Sequence, residues 1–452
     1  MSRNRKAFWL MFAGAIVVRG LMAVYMIVNQ TYIAEDTITY VNPARELLAS
    51  GRFYVGDMPE MLRTPVYPIL IAGGILLTGE HYPVFVIVIQ ILMNLAGFFL
   101  WDRLVDRYVK WEPAANLAKV FYLFDLFSIY YTCMLLTDAL FQVGILLFLY
   151  LMMKIFDSPK LRYAIGLGIL FGCMALLRPI IMYLPICIFV GLTVVYISKK
   201  QYRNILHIGT VMLVLAMIPI IGWSCRNYSL SGRFGVSDVN KSNMYVYYAS
   251  AIEADLNGGS YYDAVSRRKD YLSSINENYE DPEVITNGKE LVMDNLPIFA
   301  KYCARGVALE LGYPGMMNVL SSVPEFYEGT QTIKNFLLSG GSVMNRIGSC
   351  AKYVLTENRV FLLGCFALAV DVILLLSLLY MSIRFVFNRK YRCQWYEKWM
   401  LIGVWAYFLL CSCMPFGIGG YSRFRLPFLY VMVLCAAMYR SDKKDRQGKR
   451  IS

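Results

Sequence analysis

The chain has 452 residues, of which 58% are hydrophobic and 17% charged, and its formal net charge is +13. This apolar composition excludes an ordinary soluble globular protein and indicates a polytopic membrane protein. The positive charge does not indicate a nucleic-acid partner, because the basic residues concentrate between apolar segments and form no stripe with base-stacking aromatics. We interpret them as the positive loops that orient membrane helices.

Cysteine and histidine are poorly placed to bind a metal. The 11 cysteines include no Cys-x-x-Cys pair, and the two histidines, His81 and His207, lie far apart in the chain. A zinc site is therefore not expected. We predict that the protein needs no cofactor, while a requirement for a divalent cation stays open.

Apolar runs of roughly 20 residues, each long enough to cross a bilayer once, recur along the chain. The first follows a basic N-terminus without a small-residue cleavage site, so we interpret it as a retained span. About ten spans are predicted: 7–28, 84–101, 114–134, 139–156, 163–177, 180–197, 205–223, 361–383, 399–414 and 426–439. The predicted fold class is an all-α polytopic membrane bundle.

The apolar run 66–78 decides the topology. It is short, it is interrupted by Pro68 and by Gly73-Gly74, and the loop after it has no Lys or Arg. We predict that it is re-entrant or interfacial and does not cross. With the N-terminus inside, every inner loop is then basic, as the positive-inside bias requires. A crossing here would give about eleven spans and would invert all later loops.

This topology divides the chain into four parts. Residues 1–225 are predicted to form a transmembrane module, whose first external loop spans 29–83 and holds the candidate catalytic residues described below. Residues 226–358 form a small external α-rich domain. Residues 359–439 form the C-terminal transmembrane helices, and 440–452 form a basic cytoplasmic tail.

The first external loop holds the strongest candidates for chemistry. Glu35 and Asp36 lie just beyond the first span, where a carboxylate near a low-dielectric slab can have its pKa raised toward that of a useful general base. Alternatively, Asp36 caps the short helix that follows it. Arg63 precedes Thr-Pro-Val-Tyr-Pro, and its guanidinium either grips a phosphate bidentately or anchors the loop at the interface.

Charged residues also occupy the other turns that we predict to face outside. Asp138 lies between two spans, as a second acidic candidate or as a helix cap. Arginines occur at outer turns as well, although the topology bias predicts few positive charges there. They are Arg178, Arg226, Arg423 and Arg425. Each alone fits contact with lipid head groups, but together with Arg63 they are predicted to form a cationic ring for an anionic head group.

Three charged residues lie inside predicted spans, namely Arg19, Asp125 and Asp371. Charges at this depth usually face the bundle interior and pair with one another. We interpret Arg19 and Asp125 as structural partners or as the lining of a cavity.

Five motifs in order resemble those of a known superfamily. Asp36-Thr-Ile-Thr-Tyr40, followed by Arg63-Thr-Pro-Val-Tyr67-Pro, resembles the first external loop of bacterial GT-C glycosyltransferases, which include protein O-mannosyltransferases and the lipid A aminoarabinose transferase. The other four motifs are Thr137-Asp138-Ala139, Leu177-Arg178-Pro179, Trp223-Ser-Cys-Arg226-Asn227 and Arg423-Phe-Arg425-Leu-Pro427.

The resemblance implies an inverting glycosyltransferase with a polyprenyl-phosphate sugar as donor. A first-loop Asp acts as base or positions the acceptor in such enzymes, and here that residue is Asp36, with Asp138 at the second acidic position. The neighbouring Glu35 leaves open which carboxylate acts, and Pro43 interrupts the helix that usually follows. The resemblance also implies a bacterial inner membrane with the active site facing the periplasm.

The substrates are expected to meet the side chains as follows. The outer arginines, Arg63 with Arg226 or Arg425 foremost, stabilise the departing lipid phosphate where negative charge develops. Tyr40, Tyr67 and Tyr421 stack on the sugar or line the lipid, whose tail lies in a lateral groove between spans. The acceptor is a hydroxyl of a glycan, a lipid or a protein.

Other functions share part of this pattern. A transporter or flippase of lipid-linked sugar would need polar residues along many spans and often a repeat of halves, whereas these spans are mostly apolar. A polymerase or ligase of whole glycans shares the topology and differs only in its substrates. A scaffold subunit with a decayed site is disfavoured because Asp36, Arg63 and Asp138 are all present.

Overall fold

The computed structural model of the protein describes residues 5–274, 282–338, 343–388, 393–412 and 421–451. These residues are predominantly helical, and the one sheet among them is an antiparallel hairpin in which β1 (Tyr54–Val55) pairs with β2 (Met58–Pro59). The prediction of an all-α polytopic membrane protein is confirmed.

The first half of the chain forms eleven helices in the described residues. They are α1 (Arg5–Val28), α2 (Thr37–Ser50), α3 (Val66–Thr78), α4 (Tyr82–Tyr108), α5 (Glu112–Phe124), α6 (Leu126–Cys133), α7 (Asp138–Asp157), α8 (Leu161–Leu177), α9 (Leu184–Ser198), α10 (Tyr202–Asn204) and α11 (Val211–Ser231). Short 3-10 turns cover Gly79–His81 and Pro179–Ile181, and a π turn covers Ile205–Thr210.

The second half continues as helices where it is described. They are α12 (Val239–Ser242), α13 (Ala249–Asn257), α14 (Tyr261–Ser274), α15 (Pro282–Asp294), α16 (Leu296–Gly312), α17 (Met316–Ser321), α18 (Pro324–Leu338), α19 (Val343–Lys352), α20 (Arg359–Phe387), α21 (Trp395–Ser412), α22 (Tyr421–Phe424) and α23 (Leu426–Ile451). Two further π turns cover Asn243–Tyr248 and Tyr353–Glu357.

Six stretches of the described residues are long and apolar enough to cross a membrane. They are Phe8–Val28, Val66–Tyr108, Asp138–Asp157, Pro179–Ser198, Tyr202–Ser231 and Arg359–Phe387. The shorter helix α8 is also apolar. The predicted total of about ten crossings stays a prediction, and the last two residues of the predicted span 399–414 lie outside the described part of the chain.

The segment predicted as one span over residues 114–134 is not a continuous helix, because the chain breaks there into α5 and α6. Asp125 takes an extended conformation, and its carboxylate accepts the Ser128 N–H at 3.2 Å as the N-cap of α6. Aspartate competes with helical backbone bonds in this way and favours caps over helix interiors. Average hydropathy gave no warning of the break, since the flanking residues are apolar.

Arg19 of α1 provides hydrogen-bond donors for the end of α5, on the other side of this break. Its guanidinium donates to the carbonyls of Leu123 (2.8 Å) and Tyr122 (3.4 Å), two of the acceptors that the end of α5 leaves without helical partners. It also grips Asn94 Oδ1 of α4 through two N–H groups, at 3.0 and 2.8 Å. Arg19 and Asp125 are therefore structural, and they serve the two ends of one interruption.

The short helix α3 turns back against its neighbour through a tight connection. Gly79, in the connection to α4, has φ +57°, a left-handed conformation that favours glycine. The Tyr67 hydroxyl donates to Gln90 Oε1 of α4 at 2.9 Å and fixes the pair. With 13 residues, α3 is about 20 Å long, less than the roughly 30 Å of a hydrocarbon core. Its re-entrant or interfacial placement stays a prediction.

Helices α8 and α11 pack at close range through glycine. A Cβ added to Gly168 would lie 2.7 Å from the Met212 carbonyl oxygen, so no larger residue fits between the two backbones. Small residues allow such approach between membrane helices, where packing replaces the hydrophobic effect as the driving force. This packing fixes the end of α8, where Arg178 lies.

The predicted external segment 226–358 does not begin at a structural boundary. Helix α11 runs through residue 226 and ends at Ser231 before Gly232, whose φ of +73° is left-handed. The described residues beyond are helical, as predicted, and α17 lies against the bundle, with the Met316 N–H bound to Asp371 of α20 at 2.9 Å. Likewise, α23 continues from the apolar core into the basic tail.

Candidate active site

Five of the predicted site residues meet at one end of the bundle and form what we call the charge cluster: Asp36, Arg63, Asp138, Arg178 and Arg423. They come from the turn before α2, the loop after β2, the start of α7, the residue after α8, and α22. Since successive spans run in alternating directions, their loops meet at the same end although the residues are far apart in sequence.

The charges of the cluster alternate along a chain of ion pairs. Asp36 binds Arg63 (Oδ1 to Nη2, 2.7 Å) and Arg423 (Oδ2 to Nη1, 2.9 Å). Asp138 binds Arg423 (Oδ2 to Nε, 3.0 Å) and Arg178 (Oδ1 to Nη1, 2.6 Å). Three guanidinium groups thus share two carboxylates, which leaves a net positive charge at a site where an anion can bind.

Neither aspartate of the cluster uses its side-chain carboxylate to cap a helix. Asp36 lies at the N-cap position of α2 without a capping bond from its side chain, and Asp138 is the first residue of α7, after the N-cap Thr137. The alternative in which these residues only cap helices is therefore wrong. Helix starts are nevertheless favourable places for carboxylates, because the helix dipole is positive there.

Arg63 is held from several sides. Its Nε donates to Thr39 Oγ1 at 2.7 Å, its Nη1 donates to the Tyr40 hydroxyl at 3.2 Å, and its guanidinium lies 4.5 Å from the centre of the Tyr40 ring. Tyr67 packs edge-on against Tyr40, with ring centres 5.1 Å apart. The guanidinium is therefore oriented before any substrate arrives.

Exposure differs sharply between the two carboxylates. The Asp36 side chain is 37% exposed, whereas that of Asp138 is 0% exposed and the three arginines lie between 14% and 17%. Asp36 is therefore the carboxylate that a substrate can reach. Asp138 is a buried counter-charge that holds Arg178 and Arg423 in place.

The electrostatics of Asp36 differ from our expectation of a raised pKa. Burial by itself would raise the pKa of the Asp36 carboxyl, but the guanidinium groups of Arg423 and Arg63 outweigh burial and hold that pKa below its usual range. The prediction is wrong in direction, because the sequence could not reveal that two arginines pair with this carboxylate. Asp36 is ionised at neutral pH and is a weak base while it keeps both partners.

The other charged residues predicted for the site, Glu35, Arg226 and Arg425, form no ion pair within the charge cluster. Glu35 is exposed beside Asp36. Arg425 is buried and donates to the carbonyls of Glu310 and Tyr313 at the end of α16, at 2.9 and 3.1 Å. Arg226 donates to backbone carbonyls of the first loop. Both arginines thus bind backbone carbonyls, and neither is paired with a carboxylate of the charge cluster.

The three tyrosines predicted to contact the sugar or lipid take different positions. Tyr67 is fully buried behind Tyr40, and residue Tyr40 is only 6% exposed, with its ring under the Arg63 guanidinium. The two therefore support Arg63 and offer no open ring face. The side chain of Tyr421 lies outside the described residues.

Some residues around the cluster were not predicted from the sequence as part of the site. Thr39 lies three residues after Asp36, a spacing that puts both on one face of a helical turn and gives a usable signal. Asn318 donates to the Tyr131 hydroxyl (2.7 Å) and to Ser422 Oγ (2.9 Å), beside Arg423. No local pattern indicates Asn318, because its partners are far away in sequence.

Within the described residues, no group of three His, Cys, Asp or Glu side chains is arranged to hold a metal ion. Both carboxylates of the cluster are already paired with arginines. The expectation of metal-independent chemistry stays a prediction.

Comparison with known proteins finds one matching family for part of the chain. Residues 62–223 match the sequence model of the family described as dolichyl-phosphate-mannose-protein mannosyltransferase. The matched range includes Arg63, Asp138 and Arg178, while Asp36 and Arg423 lie on either side of it. A search of curated proteins finds no match. The match confirms the resemblance to GT-C membrane glycosyltransferases that was drawn from the five motifs.

Proposed function

We propose that the protein transfers a sugar from a polyprenyl-phosphate donor to an acceptor hydroxyl, with inversion at the anomeric carbon. The observation that carries this proposal is the placement of Asp36, the most exposed charged group of the cluster, directly between Arg63 and Arg423. Two guanidinium groups that can bind a phosphate thus lie beside a carboxylate that can accept a proton. The family match supports a lipid-linked phosphate sugar as donor.

Arg63 and Arg423 are the proposed ligands of the donor phosphate. The donor is a phosphodiester with one negative charge, and the departing lipid phosphate gains a second as the glycosidic bond breaks. Guanidinium groups bind phosphate oxygens bidentately and interact more strongly as that charge develops. The interaction therefore favours the transition state over the ground state, which is the requirement for catalysis.

Asp36 is the proposed base, and donor binding is what activates it. When phosphate oxygens take over the N–H groups of Arg63 and Arg423, the carboxylate loses the contacts that lower its pKa and becomes more basic. The acceptor oxygen then attacks the anomeric carbon, and the bond to the phosphate oxygen breaks with its electrons. The acceptor proton passes to Asp36.

A groove between α1 and the C-terminal end of α17 is the proposed place for the first isoprene units of the donor. It has a volume of about 340 Å³ and is lined by Val18, Leu21, Met22, Tyr25, Val319, Ser322 and Val323. Its residue Val319 follows Asn318, whose amide reaches Ser422 next to Arg423. A lipid in this groove would thus have its phosphate end close to the arginines.

We further propose that the charge cluster faces the outside of the inner membrane. Helix α7 begins at Asp138 in the cluster, and its other end carries Lys154. Helix α8 follows Lys160 and ends before Arg178. The basic connection between these helices therefore lies at the end opposite the cluster, where the positive-inside bias places the cytoplasm.

The proposal is tested with purified protein in nanodiscs and a panel of polyprenyl-phosphate sugars, with membrane extract as the source of acceptors. We expect release of free polyprenyl phosphate from one donor. Absence of release from every donor would contradict the proposal and would favour a transporter or a scaffold.

Replacing Arg63 by Lys should weaken the donor site. Lysine keeps the charge but loses the fork of N–H groups, so we expect the KM for the donor to rise about 10–100-fold. The matched control is Arg45→Lys, since Arg45 belongs to the same loop and pairs with Glu80 on the surface. An unchanged KM in Arg63→Lys, measured by lipid phosphate release, would remove Arg63 from the donor site.

The pH dependence tests whether donor binding releases Asp36. In the empty site its pKa is lowered, so the carboxylate is protonated only far into the acid range. The profile of kcat/KM for the donor reports the free enzyme, and that of kcat reports the complex. We expect activity to fall on acidification at a higher pH in kcat than in kcat/KM. If kcat and kcat/KM fell at the same acidic pH, the proposed release of Asp36 from its arginines would be contradicted.

A further inference from the structure

The loop that carries Arg63 is held by a residue on another part of the chain. At the open end of the β1–β2 hairpin, the Glu60 N–H donates to the Phe53 carbonyl at 3.1 Å. Arg226 of α11 binds both sides of that closure, because its Nη2 donates to the Phe53 carbonyl (2.8 Å) and its Nη1 to the Glu60 carbonyl (2.9 Å). One guanidinium thus fixes the two sides of the hairpin against α11.

Arg226 is itself fixed within α11. Its guanidinium lies 4.9 Å from the centre of the Trp223 ring, and Nη1 also donates to Asn227 Oδ1 at 2.9 Å. The Asn227 amide in turn donates to the Gly235 carbonyl at 2.7 Å. The guanidinium is therefore oriented by its own helix, and the groups that it holds are backbone carbonyls of the first loop.

Glu60 connects the part of the loop that Arg226 holds with the backbone of Arg63. Its side chain is buried, with the residue only 7% exposed, and its carboxylate accepts the backbone N–H groups of Leu62 and of Arg63, the latter at 2.7 Å. An acceptor bonded to two consecutive N–H groups fixes the backbone from which the Arg63 side chain departs. The carbonyl of the same Glu60 is bound by Arg226, so one residue links the two arginines.

The segment after α11 adds two more contacts to the same loop. The Asp238 N–H donates to the Met61 carbonyl at 3.0 Å, and Ser237 Oγ donates to the Leu62 carbonyl at 2.6 Å. Segment 226–238 therefore supports nearly every residue that leads from the hairpin to Arg63. The position of this side chain depends on a part of the chain that the sequence places in a different domain.

We propose that Arg226 and Glu60 are positioning residues for donor binding, which act through Arg63 and do not touch the phosphate. The inference rests on the proposed function of Arg63 as a donor ligand. A displacement of about 1 Å at a reacting group can cost on the order of 100-fold in rate. Loss of the contacts that Arg226 and Glu60 make with this loop should therefore weaken donor binding in the same way as a partial loss of Arg63 function.

A double-mutant cycle separates positioning from direct binding. Arg226→Gln should raise the KM for the polyprenyl-phosphate sugar about 10–100-fold with a smaller change in kcat. Since Arg226 acts through Arg63, the double variant Arg63→Ala/Arg226→Gln should be no worse than Arg63→Ala alone. If the KM increases of the two single variants multiplied in the double variant, the inference would be overturned, because Arg226 would then bind the phosphate itself.

Hydrogen exchange of the donor-free protein gives an independent readout. In Arg226→Gln the amides of segment 53–63 should exchange faster, whereas Arg63→Ala should leave the Phe53–Glu60 closure protected. Arg226→Lys, which can still donate to one carbonyl, should be intermediate in exchange and in KM. The matched control is Arg52→Gln, an exposed arginine of the same loop, which should behave like the wild type.

The two proposals fail in different ways. Unchanged exchange in Arg226→Gln would overturn the positioning inference whatever the donor kinetics. Faster exchange together with an Arg63→Ala variant that binds the donor normally would instead remove Arg63 from the donor site, and with it the proposed function of the cluster.

Discussion

Replacement of Asp36 by Asn is expected to lower kcat by about 10²–10⁴-fold, the usual contribution of a general base. The amide keeps the shape of the carboxylate but cannot take the acceptor proton. The same change removes the anion that competes with the donor for Arg63 and Arg423, so the KM for the donor should stay the same or fall. Turnover is measured as polyprenyl phosphate release, and donor binding by titration in nanodiscs.

Glu35→Gln is the control that separates a base from a local charge. It removes a carboxylate at the neighbouring position, which is exposed and outside the charge cluster. We expect activity close to that of the wild type. Wild-type turnover in Asp36→Asn would reject Asp36 as the base, and a large loss in Glu35→Gln would transfer that role to Glu35.

Replacement of Asp138 by Asn should destabilise the protein more than any other change in the cluster. The carboxylate is fully buried between Arg178 and Arg423, and its loss leaves two largely buried guanidinium groups without their shared counter-charge. Removal of one partner from a buried ion pair typically costs about 3–5 kcal/mol. We expect a clearly lowered thermal unfolding temperature in detergent, together with loss of activity.

An ion pair of the same type at the surface provides the comparison. Asp157 binds Arg107 at 2.7 Å, but both side chains are more than 40% exposed. Exposed pairs contribute about 1 kcal/mol or less, so Asp157→Asn should leave the unfolding temperature nearly unchanged. Equal effects of the two substitutions would show that burial does not set the strength of the Asp138 pairs.

The helical architecture was predictable wherever an apolar run is bounded by polar residues. The predicted spans 139–156 and 163–177 differ from α7 and α8 by at most two residues at either end. The break at Asp125 was not predictable, because it depends on Arg19, which the fold brings from another helix. A hydropathy window measures composition, and it carries no information on whether a distant side chain can satisfy freed carbonyls.

The charge cluster was predictable because topology alone places the ends of alternate helices together. Asp36, Arg63, Asp138, Arg178 and Arg423 do meet there. Arg226 and Arg425 were predicted to join them, but both bind backbone carbonyls instead. Carbonyl groups occur at every residue, so a sequence does not reveal which arginine they will engage.

The double pairing of Asp36 also bears on how a cycle ends. In the proposed reaction, the lipid phosphate that leaves after transfer carries more negative charge than the donor did, so the arginines should hold the product more tightly than the substrate. Product release limits turnover in many enzymes. In the same proposed cycle, Asp36 passes the acceptor proton to water and is then again an anion beside Arg63 and Arg423, as it is in the structure. We expect this carboxylate to displace the spent lipid and so to return the site to its starting state.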